Sequence, residues 1–154
     1  MVKAIPDGYH TVTPSLTFKD TQKAIEFYKK AFDAKVTGTF ANPVGKGIMH
    51  ATIQIGNSIL MMGDENPNCP SAQTMGGSPA TLFVYVPNVD AVFKKAVDAG
   101  GKVTMPIMEQ FWGDRAGCIG DPFGYCWMIA THTRDLTQDQ IKQGAIEFFA
   151  NMPK

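Results

Sequence analysis

The architecture follows from a segment that the chain contains twice, as FYKKAFDAKV at residues 27–36 and as FKKAVDAGGKV at residues 93–103. Each copy places apolar side chains at helical spacing and lysines on the other side, which is typical of an amphipathic helix. A repeated helix in the two halves of a chain indicates that one structural module occurs twice.

Around the first copy the sequence predicts one strand, the helix and then three more strands. Strands are expected at residues 13–18, 36–40, 48–55 and 59–62. Asp20 is predicted to be the N-cap of the helix, because its side chain can accept a hydrogen bond from the first turn. Gly56 and Asn57 suit a tight hairpin between the last two strands.

The second copy is surrounded by the same order of elements. Strands are expected at residues 81–86, near residue 103, and at residues 116–119 and 126–131. Asn88 is the predicted N-cap of the second helix, and Gly100 and Gly101 end it. Each half therefore reads as a βαβββ module, and the fold class is α+β.

The predicted organisation is a single domain with one long loop and a C-terminal helix. Module 1 spans about residues 12–63, the loop 64–80, module 2 about 81–132 and the helix about 137–150, where Thr137 and Gln140 form a capping box. The loop is predicted to be a linker or a lid. A helix covers only one side of each sheet, so the other sides are expected to enclose a cleft, which is the default ligand site.

Composition excludes several classes of function. The 154 residues are 44% hydrophobic, and 14 Lys and Arg balance 14 Asp and Glu, so there is no basic excess for nucleic acid. No apolar run reaches the roughly 18 residues that span a bilayer, which predicts no membrane partner. Three cysteines without a CxxC spacing predict neither a disulfide framework nor a cysteine zinc site, and a cytoplasmic location is expected.

His50 is the first candidate for chemistry. Alternation along its strand places it opposite Met49, whose face looks like core, so His50 is expected to face the cleft or solvent. It is interpreted either as a surface or hydrogen-bonded histidine or as a residue that contacts ligand or transfers protons.

The loop EQFWGDR at residues 109–115 is the second candidate, because it combines acids, an amide, two aromatic rings and an arginine. Arg115 offers a planar fork of donors and Trp112 a flat apolar wall, which suits a polar or anionic small molecule. The alternative is an internal network between Asp114 and Arg115 that holds the loop in place. Cys118 and Cys126, in predicted strands, are expected to be buried and inert.

The segments KAIEFYKKAFDAKV and QFWGDRAGCIGDPFGYCWMIATH resemble the vicinal oxygen chelate superfamily, which contains glyoxalase I, bleomycin resistance protein and extradiol dioxygenases. Within it, the chain is similar to the branch known as 3-demethylubiquinone methyltransferase-like. The resemblance covers about residues 14–149. It implies two βαβββ modules that form an open β-cup, the glyoxalase/bleomycin resistance/dioxygenase fold, and a homodimer.

Members of the superfamily that use a metal carry one ligand on the first and one on the last strand of each module, usually His or Gln and then Glu. Here the corresponding positions are predicted at Thr13, Met61, Thr81 and Met128. Hydroxyls and thioethers do not suit a hard divalent metal, which prefers carboxylate and imidazole. We therefore expect no metal cofactor.

The predicted function is binding of a small-molecule ligand in the β-cup without the usual divalent metal. The predicted binding residues are His50, Gln110, Trp112, Arg115 and Tyr125. The alternative is a metal-dependent lyase, isomerase or dioxygenase with displaced ligands, in which His50 and Glu109 are the catalytic residues. A third hypothesis is a non-catalytic dimeric interaction module.

Overall fold

The computed structural model describes residues 2–152 and confirms an α+β fold of two βαβββ modules with open sheets and a C-terminal helix. Module 1 contains β1 (Ser15–Phe18), α1 (Thr21–Phe32), β2 (Lys35–Ala41), β3 (Ile48–Ile55) and β4 (Ser58–Asp64). Module 2 contains β5 (Thr81–Tyr85), α3 (Val89–Asp98), β6 (Lys102–Glu109), β7 (Asp114–Gly120) and β8 (Cys126–His132). Between the modules lies α2 (Ala72–Met75), and α4 (Gln138–Ala150) follows module 2.

The two sheets have the same topology. Their strand orders are β1-β4-β3-β2 and β5-β8-β7-β6, and only the first strand of each module pairs in parallel. The helix of each module packs on one face of its sheet. We call the opposite face of each sheet its open face.

The predicted helix starts are confirmed. Asp20 accepts a hydrogen bond from the backbone N–H of Lys23, and Asn88 accepts one from that of Ala91. The capping box of Thr137 and Gln140 is also present at the start of α4. These caps satisfy backbone donors that the first helical turn leaves free.

The modules are joined on their helix-bearing sides. Helices α1 and α3 are linked by an ion pair between Lys95 Nζ and Asp33, 2.7 Å apart. Behind this pair, aromatic side chains from both modules form one buried cluster with edge-to-face and tilted ring contacts: Phe18, Phe27, Tyr28, Phe32, Phe123 and Trp127. Burying rings of this size supplies a large share of the stability of a small domain.

A buried carboxylate lies at the centre of this aromatic cluster. Asp121 accepts hydrogen bonds from Tyr28 Oη (2.6 Å) and Trp127 Nε1 (2.9 Å), and from the backbone N–H groups of Phe123 and Tyr125 (2.9 Å each). Burial, and then the charge of Asp121, raises the pKa of Tyr28 well above its usual value, so its hydroxyl stays a donor. The turn at residues 121–124 thus ties module 2 to α1 of module 1.

The loop between the modules contains a short helix and internal hydrogen bonds, which a linker or a lid does not require. Besides α2, it contains Glu65, whose carboxylate accepts hydrogen bonds from the backbone N–H of Ser71 (2.9 Å) and from Thr74 Oγ1 (2.6 Å). Hydrogen bonds from Ser71 and Thr74 lower the pKa of Glu65 to about 2. The acid at the start of the loop therefore closes it on itself.

Helix α4 packs mainly on one aromatic side chain of module 2. Phe111 contacts the rings of Phe148 and Phe149, with centroids 5.6 and 6.1 Å away. The absence of a side chain at Gly144 allows this approach, because a Cβ there would lie 3.2 Å from that of Phe111. In residues 2–152 no helix combines the length and the apolar character needed to cross a bilayer.

We expect Asp121→Ala to destabilise the protein by about 3–5 kcal/mol, because it leaves four buried donors without an acceptor. Urea unfolding followed by circular dichroism measures the change. Asp98→Ala is the matched control, since Asp98 forms an exposed ion pair with Lys94 that contributes about 0.5 kcal/mol. An equal decrease in the free energy of unfolding for the two variants would contradict the central role of Asp121.

Candidate functional site

The open face of the second sheet carries a second buried carboxylate. Asp114 is 1% exposed and accepts three side-chain hydrogen bonds. Its Oδ2 accepts from Tyr85 Oη at 2.9 Å and from Trp112 Nε1 at 2.8 Å, and its Oδ1 lies 2.7 Å from His132 Nδ1. We call these four residues the Asp114 cluster.

Strand register brings the Asp114 cluster together. Asp114, the first residue of β7, lies directly opposite His132, the last residue of β8. Tyr85 ends β5 on the other side of β8, where it pairs with Ala130. Directly opposite residues share a face of a sheet, so the three side chains point the same way.

Trp112 reaches Asp114 through a tight turn at Gly113. The φ of Gly113 is 101°, and a Cβ at this position would lie 2.2 Å from the carbonyl oxygen of Arg134. Only glycine fits both constraints. The turn therefore folds the indole back so that its N–H meets the carboxylate.

The Asp114 cluster is electrostatically coupled. Burial by itself raises the pKa of Asp114, but the hydrogen bonds from His132, Trp112 and Tyr85 outweigh it and hold that pKa below its usual value. Hydrogen bonds with Asp114 and then with Asp135 raise the pKa of His132. Asp114 is thus an anion at neutral pH and favours the imidazolium form of His132.

Exposed aromatic rings border the cluster. Phe83, two residues before Tyr85 on β5, lies with its ring centroid 5.0 Å from that of Tyr85. The exposed fractions are 46% for Phe83 and 62% for Tyr85. Together with Trp112 they form an apolar surface beside a charged dyad, an arrangement suited to a planar molecule that also carries a polar group.

A groove of about 860 Å³ runs along β5 and is lined by both modules. Tyr85 belongs to the Asp114 cluster and also lines this groove. The other residues that line the groove include Thr13, Pro14, Ser58, Ile59 and Phe83. The volume lies within the range of about 300–1,000 Å³ that small-molecule sites occupy.

The structure places His50 on the open face of the first sheet. It pairs with Phe40 on β2, with ring centroids 6.4 Å apart, while Ala51 and Ile53 on the other face are completely buried. The expectation that the face opposite His50 is core is therefore correct, although Met49 itself is exposed.

Arg115 and Glu109 do not lie on the same face as Trp112 and Asp114. Arg115 is next to Asp114 on β7, so its side chain projects from the helix-bearing face. There it donates to Asp90 through Nη2 (2.7 Å) and Nε (3.0 Å), and Nη1 lies 3.5 Å from Glu109. The alternative interpretation, an internal network between Asp114 and Arg115, is wrong, because the Asp114 carboxylate and the Arg115 guanidinium have partners on opposite faces of the sheet.

Gln110 and Tyr125 are buried in other places. Gln110 is 3% exposed, and its Nε2 has no hydrogen-bond partner among residues 2–152. Tyr125 Oη lies between the modules, where it accepts from the backbone N–H of Thr17 (3.1 Å) and donates to the carbonyl of Thr17 (2.9 Å). Within residues 2–152, the predicted binding residues therefore do not gather around one cavity of a single chain.

The sequence analysis missed Tyr85 and His132 as members of the site. Alternation along residues 81–85 places Phe83 and Tyr85 on one face, and this signal was available. The partnership of Tyr85 and His132 with Asp114 depends on strand pairing across 29 and 18 positions of the chain. Spacing along the sequence does not encode such pairing.

Strand register shows which first-strand residues lie beside the two methionines expected at metal positions. Met61 pairs with Ser15 rather than Thr13, and Met128 pairs with Phe83 rather than Thr81. A hydroxyl, two thioethers and a phenyl ring do not fit a hard divalent cation. No group of three or more His, Cys, Asp or Glu side chains in residues 2–152 has the geometry to hold a metal.

Comparison with known proteins places these observations in context. Residues 9–129 match the family model described as Glyoxalase/Bleomycin resistance protein/Dioxygenase superfamily. The Mycobacterium bovis protein Mb0911c is 37% identical over 136 residues, which cover 85% of this chain and 89% of that protein.

Two solved structures show the same fold. The Bacillus cereus PhnB protein, described as a putative 3-demethylubiquinone-9 3-methyltransferase, has a TM-score of 0.62 and 22% identity, with 79% of this chain and 99% of that one covered. TnmS3, an antibiotic binding protein from Streptomyces sp. CB03234, has a TM-score of 0.63 and 19% identity over 86% of this chain and all of its own.

We expect Asp114→Asn to lower the pKa of His132, because the substitution removes the anion that favours the imidazolium. Titration of the His132 ring by NMR measures this, and the resonance lost in His132→Gln assigns the signal. Asp135→Asn serves as the comparison, since Asp135 contributes less to the raised pKa. An unchanged His132 midpoint in Asp114→Asn would show that the two groups are not coupled.

The same coupling predicts a pH-dependent stability. The folded pKa of His132 lies above its unfolded value of about 6.5, so its contribution is complete below about pH 6.5 and is lost as the pH rises through the folded pKa. The difference in unfolding free energy between wild type and His132→Gln is therefore expected to be larger near about pH 5.5 than near about pH 8.5. Urea unfolding at both pH values tests this sign.

Proposed function

Because the chain belongs to the glyoxalase/bleomycin resistance protein/dioxygenase superfamily, we propose that it binds a small organic molecule on the open face of its second sheet. The observation that carries the proposal is the Asp114 cluster, a buried carboxylate that holds Trp112, Tyr85 and His132 in fixed positions beside exposed aromatic rings.

The carboxylate prepares the site in advance of binding. Each of its three partners keeps one orientation without a ligand, so little side-chain freedom is lost when a ligand arrives. Covering about 100 Å² of the Phe83 and Tyr85 rings contributes about 2.5 kcal/mol to the binding free energy. The proposed ligand is therefore planar and largely apolar.

The ligand is also proposed to carry an acceptor or an anionic group. The second ring nitrogen of His132, Nε2, lies 3.1 Å from the fully exposed carboxylate of Asp135. A ligand oxygen that replaces Asp135 would meet an imidazolium whose charge Asp114 already favours. Aromatic acids and phenols combine both properties, and TnmS3, which shares the fold and is an antibiotic binding protein, supports a small organic molecule as ligand.

We infer that a second copy of the chain completes the cup. The open face of the first sheet exposes Phe40 by 62% beside His50, and the open face of the second sheet exposes Phe83 and Tyr85. Apolar rings on both open faces favour burial by a homodimer. In such a dimer His50 approaches ligand together with Trp112, as the sequence analysis expected. Arg115 and Tyr125 have structural partners instead, and Gln110 is buried.

The proposal does not involve a divalent metal. The residues at the expected positions, Thr13, Met61, Thr81 and Met128, do not suit one, and neither do Ser15 and Phe83, which pair with the two methionines. The alternative, a metal-dependent lyase, isomerase or dioxygenase, requires His50 and Glu109 to share an ion. In one chain these residues lie on different sheets, and Glu109 faces Arg115.

Trp112 provides a direct readout of ligand binding. We expect aromatic acids and phenols in a screened panel to quench its fluorescence and to raise the melting temperature. Trp112→Phe is expected to lose the quenching, because the other tryptophan, Trp127, is buried between the modules. Tyr85→Ala and His132→Ala are expected to weaken the binding of the best compound by at least about tenfold.

Matched variants separate this site from the rest of the surface. Met75→Ala removes an exposed apolar side chain on α2, in the loop between the modules, and is expected to leave binding unchanged. His50→Ala weakens binding only if the first sheet contributes to the cup. Light scattering on the same samples measures the mass, and a single-chain mass would contradict the homodimer. A compound whose affinity is insensitive to Trp112, Tyr85 and His132 would overturn the proposed site.

We expect less than about one tenth of a metal ion per chain in protein purified without chelator or affinity-tag metal, because the four positions lack carboxylate and imidazole ligands. Elemental analysis measures the content before and after incubation with Mn, Fe, Ni and Zn salts. About one ion per chain that survives dialysis and is lost in His50→Ala would favour the metal-dependent alternative.

A further inference from the structure

Two of the three cysteines meet on the open face of the second sheet. Cys118 lies on β7 and Cys126 on β8, and their Sγ atoms are 2.6 Å apart. This separation exceeds the length of a disulfide bond, about 2.05 Å, by roughly half an ångström, so a small movement of either side chain brings the sulfurs to bonding distance. The third cysteine, Cys69, lies in the loop between the modules and is exposed.

Strand register explains why the two thiols converge. Cys126 lies opposite Gly120, and Cys118 lies opposite Met128, so the cysteines are diagonal neighbours on adjacent antiparallel strands. Both thiols are held in this geometry by the ladder of β7 and β8 rather than by a flexible loop.

The two thiols differ in their environment. Cys118 is 6% exposed, and burial, followed by its contact with Cys126, raises its pKa to about 11. Cys126 is only partly buried. The expectation that both are buried thiols is therefore correct for Cys118 and wrong for Cys126, because the open face of β8 is not covered at this position.

We propose that Cys118 and Cys126 are a redox-active pair that reacts with low-molecular-weight disulfides of the glutathione type. The thiolate of Cys126 attacks one sulfur of the small disulfide, which forms a mixed disulfide and releases one small thiolate. Cys118 gives its proton to that thiolate through solvent and attacks Cys126 Sγ. This step releases the second small thiolate, which takes up through solvent the proton that Cys126 gave up. The protein is oxidised by two electrons to an internal disulfide, and the small disulfide is reduced to two thiols.

The bond would link β7 to β8 beside Met128, on the face that carries the Asp114 cluster. Asp114 and Cys118 both project from this face of β7, four residues apart. The proposal rests on the cysteine geometry alone and holds whether or not an aromatic ligand binds. Its failure and the failure of the proposed function are therefore distinguishable.

Peptide mapping after treatment with oxidised glutathione tests the pair directly. A protease that cleaves before aspartate separates the cysteines, because Asp121 lies between them and gives peptides 114–120 and 121–134. We expect mass spectrometry to find these two peptides joined by a disulfide. We also expect the number of free thiols per denatured chain to fall from three to one.

Serine variants assign the role of each cysteine. Cys69→Ser is the matched control and is expected to give the same linked peptides. Cys118→Ser is expected to stop at a stable mixed disulfide on Cys126. Cys126→Ser is expected to react at Cys118 at least about tenfold more slowly than wild type reacts at Cys126, because a buried thiol of high pKa forms little thiolate.

The wild-type experiment alone is sufficient to overturn the proposal. Glutathione adducts without linked peptides would show that the two thiols do not resolve each other. A link between peptides of two different chains, seen as a covalent dimer in non-reducing electrophoresis, would also contradict it. Neither outcome depends on whether a serine variant folds.

Discussion

The buried carboxylate of Asp121 is the interaction on which the rest of the structure depends. It accepts hydrogen bonds from Tyr28 of module 1 and from Trp127 of module 2, and from the backbone of its own turn. A buried carboxylate is costly unless its oxygens are satisfied, so the partners must come together for any of them to be stable. This requirement fixes how the helix-bearing sides of the two modules meet.

The functional surface is a consequence of that junction. Since the modules are held together on their helix-bearing sides, the open faces keep exposed rings such as Phe40 and Tyr85. The second buried carboxylate, Asp114, lies on an open face and has a different role. Asp121 joins elements that are far apart in the chain, whereas Asp114 orients Tyr85, Trp112 and His132 toward a surface that remains accessible.

The positions of Asp114 and Arg115 show which part of the site the sequence alone did not predict. The two residues are adjacent, and as a motif they resemble an ion pair. In the strand their side chains project from opposite faces, and Arg115 meets Asp90 at the start of α3. Trp112 was recognised because its loop combines acids, an amide, aromatic rings and an arginine. Tyr85 and His132 join it only through the pairing of β5, β8 and β7.

Local signals were sufficient for the elements. The caps at Asp20, Asn88 and Thr137 act within one helical turn, and alternation along β3 separates the two faces of the sheet, so neither depends on distant residues. Register across strands is different. Ser15 rather than Thr13 lies beside Met61, and Cys118 meets Cys126, because pairing energies are summed over whole strands and over the core behind them. Only the assembled sheet sets those neighbours, and the chemistry of the open face depends on them.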